Sequence, residues 1–287
     1  MLTNLNKILK DDQKGKYAIA QFNFSDLEVA QGITDGAVVM KSPVIFGASE
    51  KAIEYAGIEN LVDIVKNLSE QFPQIPMVLH LDHGRTFEVC QKAIGAGFSS
   101  VMIDGSSQPF QKNIELTRRV VKYAQGKGVS VEGELGMVGN SKFQIPNNKQ
   151  NPKFYDTIIF PTGEQAKEFV EKTGVDALAV GVGTAHGLPL PDERIHFDVL
   201  EEVVSAVKIP LVLHGGSNLP TGDVKKAVKM GICKVNVDTE IRQAFTGAVR
   251  KDLQDKKVFD PREYLGQARE AVKQQVIKKI KEISGGE

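Results

Sequence analysis

"IPMVLHLDHGRTFEVCQKAIGAGFSSVMIDGS", residues 75–106, sets two apolar runs on either side of a helical segment. "IPMVLHLDH" and "FSSVMID" read as strands, and residues 86–96 between them as an amphipathic helix. The pattern recurs along the chain. "YAIAQFN", "SPVIFGA", "VSVEGEL", "VDALAVGVG", "IPLVLHGG" and "ICKVNVD" bring the candidate strands to eight. Helical patterns fill residues 25–40, 111–125, 163–173, 197–207, 221–230 and 239–251, and residues 262–283 read as a long final helix outside the rest. Strand–helix alternation of this length predicts an α/β protein, a closed parallel (β/α)₈ TIM barrel with an additional C-terminal helix. A doubly wound open sheet is the alternative, because sequence shows alternation but not closure. No linker or low-complexity segment divides the 287 residues, so a single domain over 1–287 is expected.

Composition narrows the function. Lys plus Arg and Asp plus Glu both number 36, giving a formal net charge of zero. That balance argues against a nucleic-acid surface and against a polybasic membrane anchor. No stretch is long and apolar enough to cross a bilayer. Cys90 and Cys233 make no disulfide framework, and "MLTNLNKILKDDQKGK" does not read as a signal peptide. The expectation is a cytoplasmic protein.

The strand ends carry the chemistry. "LDHG", "TAHG" and "VLHGG" place His83, His186 and His214 at or just past the carboxyl ends of apolar runs. In a barrel these ends converge on one face, where three imidazoles make a zinc site with an open fourth position. Asp82 adjoins one of them, as a base poised beside a metal would. Asp104 closes "SVMID", where a helix cap and a site role are both open. Glu132 and Glu134 share one face of "VSVEGEL" and need a metal or a cationic partner to be buried there. His80 lies on the face of Asp82 and reads as a core histidine or one that supports a ligand from behind. His196, in the polar "DERIHFD", reads as surface. "HGGSN" and "NVDTE" follow the last two strands, where barrels bind phosphate through backbone N–H groups. Gly215, Gly216, Ser217, Asn236, Asp238 and Thr239 suit that cradle. "GVGTAHG" lacks the glycine spacing of a dinucleotide fingerprint.

In order, "LHLDHG", "VMIDGS", "VEGELG", "GVGTAHG", "LVLHGGS" and "KVNVDTE" resemble the class II, zinc-dependent ketose-bisphosphate aldolases, which include the fructose- and tagatose-bisphosphate enzymes. The resemblance runs from "FN" at Phe22 and Asn23 to "FDPREYLGQAREAV" at residues 259–272. It implies reversible cleavage of a ketose 1,6-bisphosphate, fructose first, into dihydroxyacetone phosphate and an aldehyde phosphate through a zinc-stabilised enediolate. His83, His186 and His214 would then hold Zn²⁺, with Asp104 and Glu134 bearing on the metal or forming an alternate pair of ligands. Asp82 would be the acid/base at the C4 hydroxyl. Gly187, Gly215 and Ser217 would bind the dihydroxyacetone-phosphate end, beside a monovalent cation (Na⁺ or K⁺). Asn236, Asp238 and Thr239 would make sugar and phosphate contacts, and Asn23 and Ser49 would meet the distal end. Arg262 would be lent to the distal phosphate by a neighbouring subunit, so a homodimer or larger homo-oligomer is implied.

Two departures from the family stand out. Its mobile loop usually carries acids in a stretch like "GGxED", but here the loop reads "VGNSKFQIPNN". The Tyr-Lys that commonly follows "AHG" is replaced by "AHGLPLPD". Residues 139–162 are expected to form a lid whose proton donor has moved to Tyr155, Asp156 or a metal-site water. Tagatose 1,6-bisphosphate or a C6-modified (sulfonated or deoxy) ketose phosphate is the alternative substrate. A zinc-dependent barrel hydrolase and a non-catalytic sugar-phosphate-binding protein are the readings from other classes.

Overall fold

A computed structural model describes residues 1–9, 17–136, 139–140, 160–187 and 193–283, with the backbone alone described at 139–140. Eight parallel strands close into a barrel: β1 (Ile19–Asn23), β2 (Val44–Ser49), β3 (Met77–Gly84), β4 (Ser100–Ile103), β5 (Ser130–Leu135), β7 (Ala177–Val180), β9 (Leu211–Leu213) and β10 (Ile232–Val237). β1 pairs with both β2 and β10, which rules out the open sheet. Two further segments, β6 (Gly139–Asn140) and β8 (Ala185–His186), pair above the barrel.

The helices follow the sequence pattern closely: α2 (Leu27–Met40), α5 (Phe87–Ala96), α6 (Phe110–Ala124), α7 (Gly163–Thr173), α8 (Phe197–Ala206), α9 (Thr221–Met230), α10 (Thr239–Asp252) and α11 (Pro261–Ile283). Caps set several of the ends. Asp26 accepts from the Val29 N–H, Thr86 from that of Val89, and Thr162 forms a capping box with Gln165. Three helices go beyond the sequence reading. α3 (Glu50–Ala56) and α4 (Ile58–Gln71) lie between β2 and β3, and α1 (Leu5–Ile8) precedes the barrel. α11 packs on α2, where a Cβ at Gly36 would lie 2.5 Å from Val276, so only glycine allows the approach.

Period-two alternation sorts the strand residues. Ala20, Phe22, Phe46, Leu79, Leu81, Val101 and Val131 join the apolar shell beneath the helices. Ile19, Ile45, Val78, Met102, Ala177, Val212 and Cys233 fill the floor of the barrel, which Leu5, Ile8 and Leu9 of the amino-terminal segment cover. Above the floor the interior turns polar on several strands: Gln21, His80, Glu132 and Lys234, with Ser100 of β4 beside His80, are all fully buried. At the open end stand Asn23, Ser49, Asp82, Asp104, Glu134 and Asn236. The barrel is therefore apolar at the bottom, polar in the middle and chemically equipped at the top.

Candidate active site

Strand geometry should send Asp82 and His83 to opposite faces. Both reach the barrel mouth because His83 has φ +54°, and the β3–β4 register shifts between Leu81 and Gly84. A non-glycine residue in the left-handed region costs on the order of 1 kcal/mol, so the surroundings must hold it there. Asp104 does so: its Oδ2 lies 3.0 Å from His83 Nδ1, and its Oδ1 accepts from the backbone N–H and hydroxyl of Ser106.

His83, His186 and His214 meet at this mouth, and their potential ligand atoms lie within 4.8 Å of one another. His214 Nε2 is 2.9 Å from Glu132 Oε1. A carboxylate behind each of His83 and His214 fixes the outer nitrogen as the donor. That leaves His83 Nε2 and His214 Nδ1 facing each other at 2.9 Å. Two lone pairs at that distance repel unless a cation lies between them. The third ring adds a free atom, since His186 Nε2 is buried with no hydrogen-bond partner among the described residues. Burial lowers His186 to about 3, so this ring is a neutral donor. His83 moves the other way: burial opposes its charge, but Asp82, Asp104 and Glu134 raise it to about 10. The arrangement demands one positive charge among three imidazoles, which suits a metal ion with nitrogen ligands. His83, Asp104 and Glu134 form a second such group. Glu134 is pushed up to about 8 by burial and by the charge of Asp104.

Asp82 lies beside the triad. Its Oδ2 accepts from Asn23 Nδ2 at 2.7 Å and its Oδ1 from Asn236 Nδ2 at 3.4 Å. Burial would raise its pKa, but the charges of His83 and His214 and the Asn23 bond hold it well below the usual carboxylate range. Asp82 is thus an ionised carboxylate clamped by two amides.

The candidate anion cradle assembles from three connections. Gly215 has φ +67°, and a Cβ there would lie 2.5 Å from the Ala185 carbonyl oxygen, so the turn after β9 can close only with glycine. Gly216 N–H donates to the Asn236 carbonyl, Ser217 Oγ accepts from Asp238 N–H, and Thr239 Oγ1 donates to the Gly187 carbonyl. The structure therefore gathers Gly187, Gly215, Gly216, Ser217, Asn236, Asp238 and Thr239. Asn23, Ser49 and Asp238 line an adjoining cavity of about 360 Å³, with Lys51, Tyr55 and Arg242 on its walls.

Some expectations fall elsewhere. Arg262 is not brought to this site within the chain. Its side chain is 90% exposed and bonds only to Asp260 among the described residues. His196 is half-buried rather than on the surface, its ring 4.6 Å from that of Phe160. Tyr155, Asp156 and most of the expected lid lie outside the described residues. The backbone of β6 at the start of that loop does run beside His186.

Lys234 went unread in the sequence. Its Nζ lies 2.7 Å from Glu132 Oε2, and both side chains are fully buried. Burial works against the Glu132 charge, but Lys234, His214 and His80 hold it ionised. His80 completes the layer, with Nδ1 2.8 Å from Ser100 Oγ. A lysine in the apolar "ICKVNV" was the available signal: a charge in a barrel strand needs a buried partner. Lys234→Met is expected to cost about 3–5 kcal/mol of stability by stranding the Glu132 charge. It should also weaken metal binding by roughly 10–100-fold, because Glu132 orients His214. Urea unfolding and metal titration of the variant measure the two effects; wild-type values in both would remove Lys234 from the site's support.

Comparison with known proteins agrees with this geometry. Residues 3–286 match the family described as fructose-bisphosphate aldolase class-II. The chain is 44% identical over 285 residues to a fructose-bisphosphate aldolase of Staphylococcus aureus, covering 98% of this chain and 97% of that one. It is 42% identical to that of Geobacillus stearothermophilus, covering 98% and 96%. Among solved structures, the YdjI aldolase of Escherichia coli K12 superposes with a TM-score of 0.85 at 33% identity, covering 100% of this chain and 99% of that one. A closed barrel with a metal-ready histidine triad, matched over nearly its whole length, places this chain in the class II fructose-bisphosphate aldolase family, whose members are zinc-dependent lyases.

Proposed function

We propose that this chain, one (β/α)₈ domain over residues 1–287, reversibly cleaves fructose 1,6-bisphosphate into dihydroxyacetone phosphate and an aldehyde phosphate, in the cytoplasm. The observation that carries the reading is the clamped Asp82 carboxylate beside three converging imidazoles. The names of the relatives support the substrate.

His83, His186 and His214 would hold the zinc, with Asp104 and Glu132 fixing two of the rings and Glu134 close at hand. Bound there, zinc supplies a Lewis acid for the negative charge that develops when the C3–C4 bond breaks. Asp82 takes the C4 hydroxyl proton during cleavage and returns it during condensation. Gly187, Gly215, Gly216, Ser217, Asn236, Asp238 and Thr239 hold the dihydroxyacetone-phosphate end, beside a Na⁺ or K⁺ ion. Asn23 and Ser49 meet the distal end in the adjoining cavity. The second proton comes from Tyr155, Asp156 or a metal-site water, the two side chains lying outside the described residues.

Arg262 completes the distal phosphate subsite of a neighbouring subunit in a homodimer or larger homo-oligomer. Helix rise supports this. Lys279, on the same helix, touches Glu240 beside the chain's own cradle, and Arg262 lies on the order of 25 Å away along the axis. Its planar fork suits phosphate. Mixing tests the idea. Asp82→Ala and Arg262→Ala chains should each be poor alone and recover activity when co-expressed, since one site in each mixed dimer is then intact. No recovery in verified heterodimers would mean that Arg262 does not act across subunits.

A coupled assay over a panel of ketose phosphates tests the function as a whole. Fructose 1,6-bisphosphate is expected to give the highest kcat/KM. Preference for the tagatose epimer or a C6-modified sugar would move the substrate and keep the chemistry. Release of phosphate or another hydrolysis product without carbon–carbon cleavage would overturn the aldolase reading, as would ligand binding with no turnover.

A further inference from the structure

The turn at residues 215–218 is anchored at three places. Gly216 reaches β10 and Ser217 reaches Asp238, as described above. The third anchor is separate from both: the Asn218 N–H donates to Glu240 Oε1 at 3.0 Å. Asn218 has φ +62°, so this bond holds a residue in a conformation that side chains disfavour. Glu240 Oε2 in turn accepts from Lys279 Nζ at 2.7 Å and from Gln275 Nε2 at 3.2 Å, both on α11. Lys279 also meets Glu282 at 3.0 Å and is only 4% exposed.

An acid one residue from Thr239 and one hydrogen bond from the Ser217 turn is electrostatically misplaced for an anion site. The buried Lys279 ammonium removes the conflict. It cancels the charge while leaving Oε1 free to hold Asn218. We infer that Glu240 is a positioning residue for the anion-binding turn, and that Lys279 on the final helix is the counter-charge that makes the turn hospitable to phosphate. The inference rests on the sugar-phosphate reading above. It gives α11 two duties: its carboxyl-terminal half sets the home cradle, and its first turn carries Arg262.

Hydrogen exchange of the peptide spanning residues 214–220, with inorganic phosphate as the probe, tests this without turnover. In the wild type, phosphate should slow exchange of the turn. In Lys279→Met, the phosphate concentration for half-protection should rise roughly tenfold, the loss expected for one charge-assisted contact. KM for fructose 1,6-bisphosphate should rise in parallel, with kcat changing less than about threefold. The double variant Glu240→Gln/Lys279→Met should recover both, because the neutral amide oxygen still accepts from Asn218. Should Lys279→Met fail to fold, Glu240→Ala carries the test. Lys279 then keeps Glu282, Asn218 loses its acceptor, and Glu240→Gln should restore protection where Glu240→Ala does not.

Wild-type half-protection in Lys279→Met, or in Glu240→Ala if that variant carries the test, overturns the inference. So does a loss that the Gln variants fail to rescue. Failure of the aldolase reading looks different: the wild type would show no cleavage of any ketose phosphate, whatever the exchange data show.

Discussion

His186→Ala is expected to purify with little zinc and to lose aldolase activity, while its barrel stays folded. The three rings are not equivalent. His83 and His214 are each pinned by a carboxylate, at 3.0 Å and 2.9 Å, and would keep their orientation in the variant. His186 contributes Nε2, which is buried with no partner among the described residues, so at that atom its removal strands no hydrogen bond. It lies on the short β8 segment above the barrel, outside the eight-stranded ladder. A structural zinc site with four ligands is worth about 10–16 kcal/mol, or about 3 kcal/mol per ligand, so losing one should weaken zinc by roughly two orders of magnitude. Metal analysis after dialysis against a weak chelator reads this directly. Circular dichroism should match wild-type protein stripped of metal. Zinc retained at wild-type affinity would exclude His186 from the ligands, and a collapsed spectrum would mean that the ring serves the fold.

Much of this site is legible in sequence because barrel topology turns local patterns into a shared location. Eight apolar runs predict where strands end, and His83, Asp104, His214 and Asn236 all lie at or just beyond such ends. The cradle residues come together because "HGGSN" and "NVDTE" follow neighbouring strands, and the β9–β10 ladder fixes their relative height. Closure itself was not legible. It depends on β1 meeting β10, a pairing between opposite ends of the chain that no local pattern reports.

What the sequence hid is of two kinds. One is backbone conformation. Simple alternation would turn His83 away from the site that Asp82 faces, and only the left-handed φ brings both to the mouth. The other is partner choice. Glu132 and Glu134 are two residues apart on one face, and nothing local says which one meets Lys234. In the structure Glu132 faces Lys234 and His214 across the barrel, while Glu134 shares its space with Asp104 and is pushed up to about 8. Two identical, equally buried side chains on one strand are thus shifted in opposite directions by the charged groups that each one faces. The floor was hidden for a related reason. Leu5, Ile8 and Leu9 look like an ordinary amphipathic start, and only the closed barrel supplies the apolar opening that they cover.

Asp82→Ala separates the base from the metal. The variant should bind zinc as the wild type does, because Asp82 is not among the grouped ligand atoms. Its loss removes the one carboxylate that the Asn23 and Asn236 amides hold at the mouth. Cleavage of fructose 1,6-bisphosphate should fall by about 10²–10⁴-fold, the range for a positioned general acid–base group. The fall should lie mainly in kcat, since the cradle at residues 215–218 is untouched. A second measurement places the group along the substrate. Dihydroxyacetone phosphate alone has no C4 hydroxyl, so exchange of its C3 proton with solvent does not need Asp82. Exchange in the variant should therefore stay within about tenfold of wild type while cleavage collapses. If both fall together, Asp82 serves the carbanion end or the metal rather than the C4 oxygen. If neither falls, another residue is the base, and Glu134, a buried acid at the mouth that is pushed up to about 8, becomes the group to replace next.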